Sequence, residues 1–380
     1  MISVLVDVLT RKLEPILKTR ESMPSDGEGL AGLVYPPVSL SRILDLTYSN
    51  AFHTQCIALK AEMSVGLEYE APSNVERFLE EITGDQDTFL DLLGMVVWDW
   101  ECLGNGYLEI ARSRQGRIGE IYHVHGQTVY ASVAGNRLTE YVQETGSQVL
   151  FSPFGARDGR NELFHLKRYS PLSTWYGLPE WIACLEALRL DQEKKTFYAA
   201  FFKNFAVPAL AVVLEGAEFD ESIEKKIQDG FNQMKGAENA FRALMLSIPF
   251  ENATVKFEKL MADFRDMPFD KLTQATREEI LAAHGVPPRL VGIVTAGQLG
   301  GAGEADGQLR NFIATKVEPR TKFIERKITL LLRDAGLPEV FKLKGIRPSA
   351  EEGGTPDEAI SAEVAAMDEV LKSLNRRGGF

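Results

Sequence analysis

Three groups of residues have the types and spacing that chemistry would need. The first is the glycine-rich stretch GIVTAGQLGGAGEADG at 292–307. Gly292 and Gly297 have the G-x-x-x-x-G spacing of a phosphate-cradling loop, in which a lysine reaches the phosphates and a hydroxyl holds magnesium. Gln298 and Leu299 stand in those two places, so a nucleotide loop is not expected. The second group, Gly104 and Gly106, opens a dinucleotide-type G-x-G, but Glu109 occupies the third glycine position. The third is the H-x-H of His123 and His125, which places both imidazoles on one face of a strand. No third ligand of suitable type lies nearby in sequence, and the pair reads as structural. His284 closes a helix, where a cation suits the dipole. The sequence contains neither G-x-S-x-G nor H-E-x-x-H. Its carboxylates form no pair whose context marks an acid and a base. The expectation is a protein that is not an enzyme, with no cofactor and no metal.

The elements that carry these residues fall into blocks along 380 residues. Residues 1–35 are an amphipathic start followed by a polar, glycine-rich stretch, an N-terminal arm. Pro36 to Met63 reads as helix, and 73–100 has a helical period with an acidic outer face from Glu76 to Asp91. From 101 to 170 the alternation of apolar and polar residues is that of strands. A long helix follows from about Leu178 to Ala206, roughly 40 Å at 1.5 Å per residue. It carries an aromatic stripe, Phe197, Tyr198, Phe201, Phe202 and Phe205, whose spacing is that of packing. Residues 207–262 form a small α/β unit, with strands at PALAVVLEG, RALMLSIPF and ATVKFEKL and a helix after Asp220. The chain returns to helix at FDKLTQATREEILAAHG, where Thr276 and Glu279 make a capping box that predicts a kink or restart. Gly285, Pro287 and Pro288 stop it. After the glycine-rich loop, Phe312 to Leu332 reads as helix.

Composition bounds the function. Lys+Arg number 42 against 54 Asp+Glu, a formal charge of −12, the wrong sign for a protein that grips nucleic acid by neutralising phosphates. The balance is uneven: residues 305–348 are basic, and 349–380 are acidic. Three separated cysteines, Cys56, Cys102 and Cys184, form no disulfide scaffold. No apolar run is long enough for a membrane span, and the N-terminus lacks the apolar centre of a secretory signal. A soluble, intracellular protein with no membrane partner is expected.

The order of parts resembles the portal proteins of tailed bacteriophages and prophages, especially the contractile-tail branch. The residues that carry the resemblance are CLGNGYLEIARSRQGRIGEIYHV (102–124), ELFHLKRYSPLSTWYGLPEW (162–181), FFKNFAVPALAVVL (201–214), REEILAAHGVPPRLVGI (277–293) and FIATKVEPRTKFIERKI (312–328). The resemblance covers about Pro36 to Ile328 and implies an α+β portal fold assembling into a cyclic ring. Its implied parts are a wing at 36–177, a first stem helix at 178–206, a clip at 207–262 and a second stem helix at 263–285. A tunnel loop follows at 286–307, then a helix at 308–334, then a short crown-like segment at 335–380.

The resemblance further implies a ring of twelve copies at one capsid vertex, through which double-stranded DNA is packaged and ejected. Implied partners are the terminase large subunit, scaffold and major capsid protein, and head-completion or tail connector proteins. The implied setting is the virion, with the host cytoplasm during assembly. Carried over by residue, Thr295, Gln298, Leu299, Glu304 and Asp306 would face DNA in the channel. The aromatic stripe would pack the stem and neighbouring subunits. Glu221, Lys225, Lys226 and Asp229 would dock terminase or adaptors. The tunnel loop has no Lys or Arg between Val291 and Gly307, so its contact with DNA would be steric. Two alternatives stay open: another oligomeric virion or adaptor protein without a DNA channel, and a nucleotide-dependent enzyme.

Overall fold

Capping residues break the expected helices where the sequence reads as continuous. The computed structural model describes residues 32–83, 87–203, 210–215, 225, 229, 254–259, 269–293 and 302–345. Helix α1 spans Leu40–Ser49 and α2 spans Ala51–Val65. Asn50 divides them, its side chain accepting the His53 backbone N–H at 3.0 Å. The period over 73–100 likewise resolves into α3 (Ser73–Glu81) and α4 (Phe89–Leu103). Thr88 and Asp91 form a reciprocal capping box at the start of α4.

The chain divides into two units, one made of residues 1–184 with 280–380 and the other of Leu185–Glu279. In the first, a seven-stranded sheet has the order β1-β5-β6-β7-β8-β3-β4. Its strands are β1 (Leu33–Val34), β3 (Asn105–Arg112), β4 (Ile118–Val124), β5 (Val129–Ala134), β6 (Arg137–Glu144), β7 (Gln148–Pro153) and β8 (Glu162–Lys167). All neighbours are antiparallel except β7 and β8. One core gathers Val75 and Leu79 of α3, six apolar residues of α4 from Phe89 to Trp100, and Leu108, Ile110, Ile121, Phe164 and Leu166 of the sheet. Ile324, Ile328, Leu331 and Leu332 pack into that same core.

Those last four belong to a helix that runs as α7 (Ala302–Phe312), a π turn (Ile313–Val317) and α8 (Glu318–Asp334). A short strand, β11 (Lys342–Lys344), then pairs with β2 (Glu68–Glu70). The helix after the loop and the start of the C-terminal segment are therefore parts of the body that α1 to β8 build. Apolar residues of α8 and the pairing of β11 bind them there.

The second unit holds α5 (Leu185–Lys203), the antiparallel pair β9 (Leu210–Glu215) and β10 (Thr254–Lys259), and most of α6 (Phe269–His284). Lys194 of α5 donates to Thr273 of α6 at 3.0 Å. The expected interruption of α6 at Thr276 does not occur. The Thr276 hydroxyl donates to the Leu272 carbonyl at 2.7 Å, a bond within the helix that leaves it continuous. The expected strand over 242–250 lies outside the described residues.

Candidate functional site

Two glycines permit the first tight contact. Gly104 ends α4 at φ +76°, and a Cβ there would lie 2.5 Å from the Leu178 carbonyl carbon. Gly177 crosses it so closely that its own Cβ would lie 2.1 Å from the Gly104 oxygen. Any side chain at either position collides with backbone, which cannot swing away. Asn105 locks the crossing: its Oδ1 accepts the Gly177 N–H at 2.7 Å and its Nδ2 donates to the Gly177 carbonyl at 3.0 Å. Tyr176 adds a third tie, donating to the Val34 carbonyl and accepting the Ala131 N–H, both at 2.7 Å. The G-N-G and Y-G-L-P segments read in the sequence are thus two halves of one backbone crossing.

Just beyond it, the turn Glu180–Cys184 leads into α5, and a buried ion-pair cluster holds that turn. Glu101 of α4 is fully buried; Lys60 of α2 stands 2.8 Å from it, Arg168 2.5 Å and Arg320 2.7 Å. Arg320 also pairs with Glu180, and Lys316 reaches Glu180 at 2.5 Å. Burial alone would raise the Glu101 pKa, but Lys60, Arg168 and Arg320 overcome it and hold the group well below the carboxylate range. Burial acts the other way on Lys60, lowering its pKa against the pull of Glu101. Lys316 and Arg320 flank the end of the π turn, so this one stretch supplies two of the three cations that pair with Glu180, Arg168 being the third.

The returning chain is held differently. His284 ends α6, and its Nε2 lies 2.7 Å from Nδ1 of His53. His53 Nε2 is 3.3 Å from the Thr47 hydroxyl, which donates to the Ile43 carbonyl at 2.9 Å. The Thr47 proton is committed to Ile43, so His53 Nε2–H must donate to Thr47. His53 Nδ1 is then bare and accepts from His284 Nε2–H, leaving His284 Nδ1 without a partner. Each ring is neutral. Burial and the nearby Lys60 charge push His53 down to about 3, and burial first, with Lys60, lowers His284 further. His284 is therefore no dipole-stabilised cation, as its place at a helix end suggested; burial beside a cationic cluster outweighs the helix end.

Trp181 links the two anchors. Its indole N–H donates to the Cys102 carbonyl at 3.1 Å, and its ring meets His53 edge-on at 4.2 Å. Gly285 turns the chain away from α6 at φ +64°; a Cβ there would lie 2.2 Å from Cε of Lys316. The ends of the glycine-rich loop then pack on α2. Val286, Val291, Phe312, Ile313 and Val317 share one core with Cys56 and Met63. Cys56 and Cys102 are buried thiols raised to about 12 by burial, so they are inert at neutral pH.

The residues expected to act lie mostly elsewhere. Thr295, Gln298 and Leu299 are outside the described residues. Glu304 and Asp306 are in helix α7, not in the loop, and Asp306 pairs with Arg310 one turn on. Ala302 and Ala305 favour helix, and acids in a first turn suit the helix dipole, which outweighs the nearby glycines. In the aromatic stripe, Phe197 and Tyr198 are half-buried with ring centroids 6.2 Å apart. Phe201 and Phe202 fall within α5, which begins at Leu185, not 178; Phe205 is outside the described residues. Lys225 and Asp229 are exposed helical positions, while Glu221 and Lys226 are outside. His123 pairs with Asp99 at 2.9 Å, and Asp99 also accepts the Gly126 N–H at 2.9 Å. Among the described residues no cluster of three metal-ligating side chains occurs, and no helix is long and apolar enough to cross a membrane.

The sequence model of one family, described as phage portal protein, matches residues 65–375. The chain belongs to the phage portal protein family. Among relatives, the probable portal protein of Haemophilus phage HP1 is 21% identical over 312 residues, 81% of this chain and 84% of that protein. Two uncharacterized proteins are each 24% identical: one from Rickettsia bellii, matched over 67% of this chain and 64% of its own length, and YqbA of Bacillus subtilis, over 72% and 63%. The match thus spans slightly under two thirds of both proteins. Among solved structures, a chain of the native gene transfer agent virion superposes with a TM-score of 0.59 at 21% identity, covering 96% of each chain. An HK97-family phage portal protein from Corynebacterium diphtheriae gives 0.51 at 13% identity, covering 84% of this chain and 96% of that one. The portal family's fold is shared across these distances, and the glycine crossing and the buried anchors are how this sequence builds it.

Proposed function

We propose that this chain is one subunit of a closed ring at a capsid vertex, through which double-stranded DNA enters and leaves. The observation that carries the reading is the family membership over residues 65–375, joined to a fold match along 96% of the chain with a component of the neck of the native gene transfer agent particle. That neck was computed with twelve-fold symmetry, and twelve is the copy number we infer here. A closed ring of one chain needs heterologous contacts that return on themselves.

In this reading 36–177 is the wing, 178–206 and 263–285 are the stem, 207–262 is the clip, 286–307 is the tunnel loop backed by the helix at 308–334, and 335–380 is the crown-like segment. Thr295, Gln298, Leu299, Glu304 and Asp306 face the moving duplex. Phe197, Tyr198, Phe201, Phe202 and Phe205 pack the stem within and between subunits. Glu221, Lys225, Lys226 and Asp229 dock the terminase large subunit and then the head-completion proteins. Scaffold and major capsid protein meet the wing. The subunit assembles in the host cytoplasm, ends in the virion and catalyses nothing. An acidic ring suits a channel that must let phosphates slide past.

Native mass measurement at high protein concentration, paired with an ATP hydrolysis assay, tests the reading. A closed oligomer near twelve copies without hydrolysis is expected. A monomer at every concentration, or robust hydrolysis by the purified chain alone, contradicts it.

A further inference from the structure

The ion-pair cluster at the α5 exit is unbalanced. Among the described residues, Lys60, Arg168, Lys316 and Arg320 share two carboxylates, Glu101 and Glu180. Two more cations extend the strip. Lys327 lies two turns beyond Arg320 on the same face of α8. Its ammonium stands 5.7 Å from the Phe164 and Phe323 ring centres and donates to the His165 carbonyl at 3.2 Å. Lys167 of β8 donates to the Thr174 carbonyl. Among the described residues neither lysine has a carboxylate partner. Burial lowers both ammonium pKa values, and the Lys167 charge lowers that of Lys327 further, so the two repel one another. The strip opens at the surface, where Arg168, Lys316 and Glu180 keep 19%, 23% and 30% of their side chains exposed.

The matching charge lies further along the same chain. Residues 351–369 hold seven acids, Glu351, Glu352, Asp357, Glu358, Glu363, Asp368 and Glu369, and no Lys or Arg. The described residues end at Gly345, six residues before Glu351. A Cβ on Gly345 would lie 3.7 Å from the Met63 carbonyl oxygen. The next carbonyl, of Ser64, accepts from Thr321 at 2.9 Å, on the flank of α8 away from Lys316 and Lys327, so the segment reaches the strip by passing round the helix. Extended chain covers up to about 3.5 Å per residue, so Glu351 can lie ~20 Å from Gly345. The helix from Lys316 to Lys327 is only about 16 Å long.

We propose that the acidic stretch 351–369 of the same chain binds along this strip, its carboxylates facing Lys316, Lys327 and Lys167. Charge-assisted hydrogen bonds from partly exposed ammonium groups hold it, and salt weakens it. The phosphate backbone of a duplex and the same stretch of a neighbouring copy are the competing occupants.

The test uses the full chain at low salt and a carbodiimide that joins carboxylates to lysine amines directly. Cross-links from 351–369 should fall on Lys167, Lys316 and Lys327 and vanish at about 0.5 M salt. When isotopically labelled and unlabelled copies are mixed, each link should stay within one label. A second readout is the acetylation rate of the same three lysines. It should rise several-fold in a variant carrying E351Q, E352Q, D357N, E358Q, E363Q, D368N and E369Q, with exposed Lys322 unchanged as control. Links to Lys322 instead, links between labels, or unaltered acetylation in the neutralised variant would each overturn the proposal. Duplex DNA protecting the three lysines equally in both proteins would also overturn it, in favour of DNA as occupant.

Discussion

The chain leaves its body at Glu180 and comes back at His284, and the two places are held by opposite means. The exit is anchored by charge: Glu101 and Glu180 among Lys60, Arg168, Lys316 and Arg320. The return is anchored by neutrality, through a one-way run of hydrogen bonds from His284 to His53 to Thr47 to Ile43. The two sets are close enough that Lys60 lowers both histidines. The cations that make the exit strong are thus part of what forbids charge at the return. Each anchor has its own weakness, removal of a carboxylate in one and acid in the other.

The largest expected effect attacks the exit. Glu101→Ala leaves the buried Lys60 without a carboxylate and Arg168 and Arg320 with Glu180 alone, and breaking such a cluster from one side costs about 3–5 kcal/mol. Denaturant unfolding should show it as a lowered midpoint, and a loss under 1 kcal/mol would mean that water replaces the carboxylate. Next comes the glycine crossing beside the exit. Gly177→Ala meets the Gly104 oxygen, a backbone atom, and should cost about 3 kcal/mol. Gly285→Ala, at the return, meets only the movable end of Lys316 and adds positive-φ strain, so about 1–2 kcal/mol is expected. Thermal melts of the two variants rank them, and the reverse order would show that the return is the more tightly packed.

Acid sharpens the contrast. In the unfolded chain His53 takes its proton near pH 6.5, but in the folded chain only near 3. Between those values the unfolded state binds more protons, so stability present above pH 6.5 is lost as pH falls. His53 alone should cost about 2 kcal/mol between pH 6.5 and 5, and His284 acts in the same direction. Glu101 is also lowered, but its loss starts only near the ordinary carboxylate value of 4.5. Unfolding free energies measured from pH 7.5 to 4 should therefore decline first through the return anchor. His284→Leu should shrink the slope above pH 5 and leave the steeper fall below it; an unchanged slope would remove the histidines from the account. The smallest effect belongs to the partly exposed Asp306–Arg310 pair, where Arg310→Ala should shift stability by less than about 0.5 kcal/mol.

Much of this architecture is legible in the sequence because period and turn chemistry are local. The strands at ELFHLK, LAVVLE and TVKFEK appear where alternation placed them. Both segments of the glycine crossing stood out as motifs, but their meeting did not, since 72 positions separate Asn105 from Gly177. The buried cluster was invisible for the same reason: 219 positions lie between Glu101 and Arg320. One local signal did exist. Lys60 sits in the run CIALKAEM, a charge on the buried face of a helix, and such a residue needs a partner from elsewhere in the chain. Asn50 and Thr88 were equally readable as caps, yet the apolar period ran across them. The helix α7 was hidden by its own glycines, Gly303 and Gly307, although Ala302, Glu304 and Ala305 favour a helix start.

Electron microscopy of the purified full chain tests the central claim most directly. End-on views of radial rings, each with a central hole wide enough for duplex DNA, are expected. Filled discs, open filaments or rings without a through-channel would contradict it.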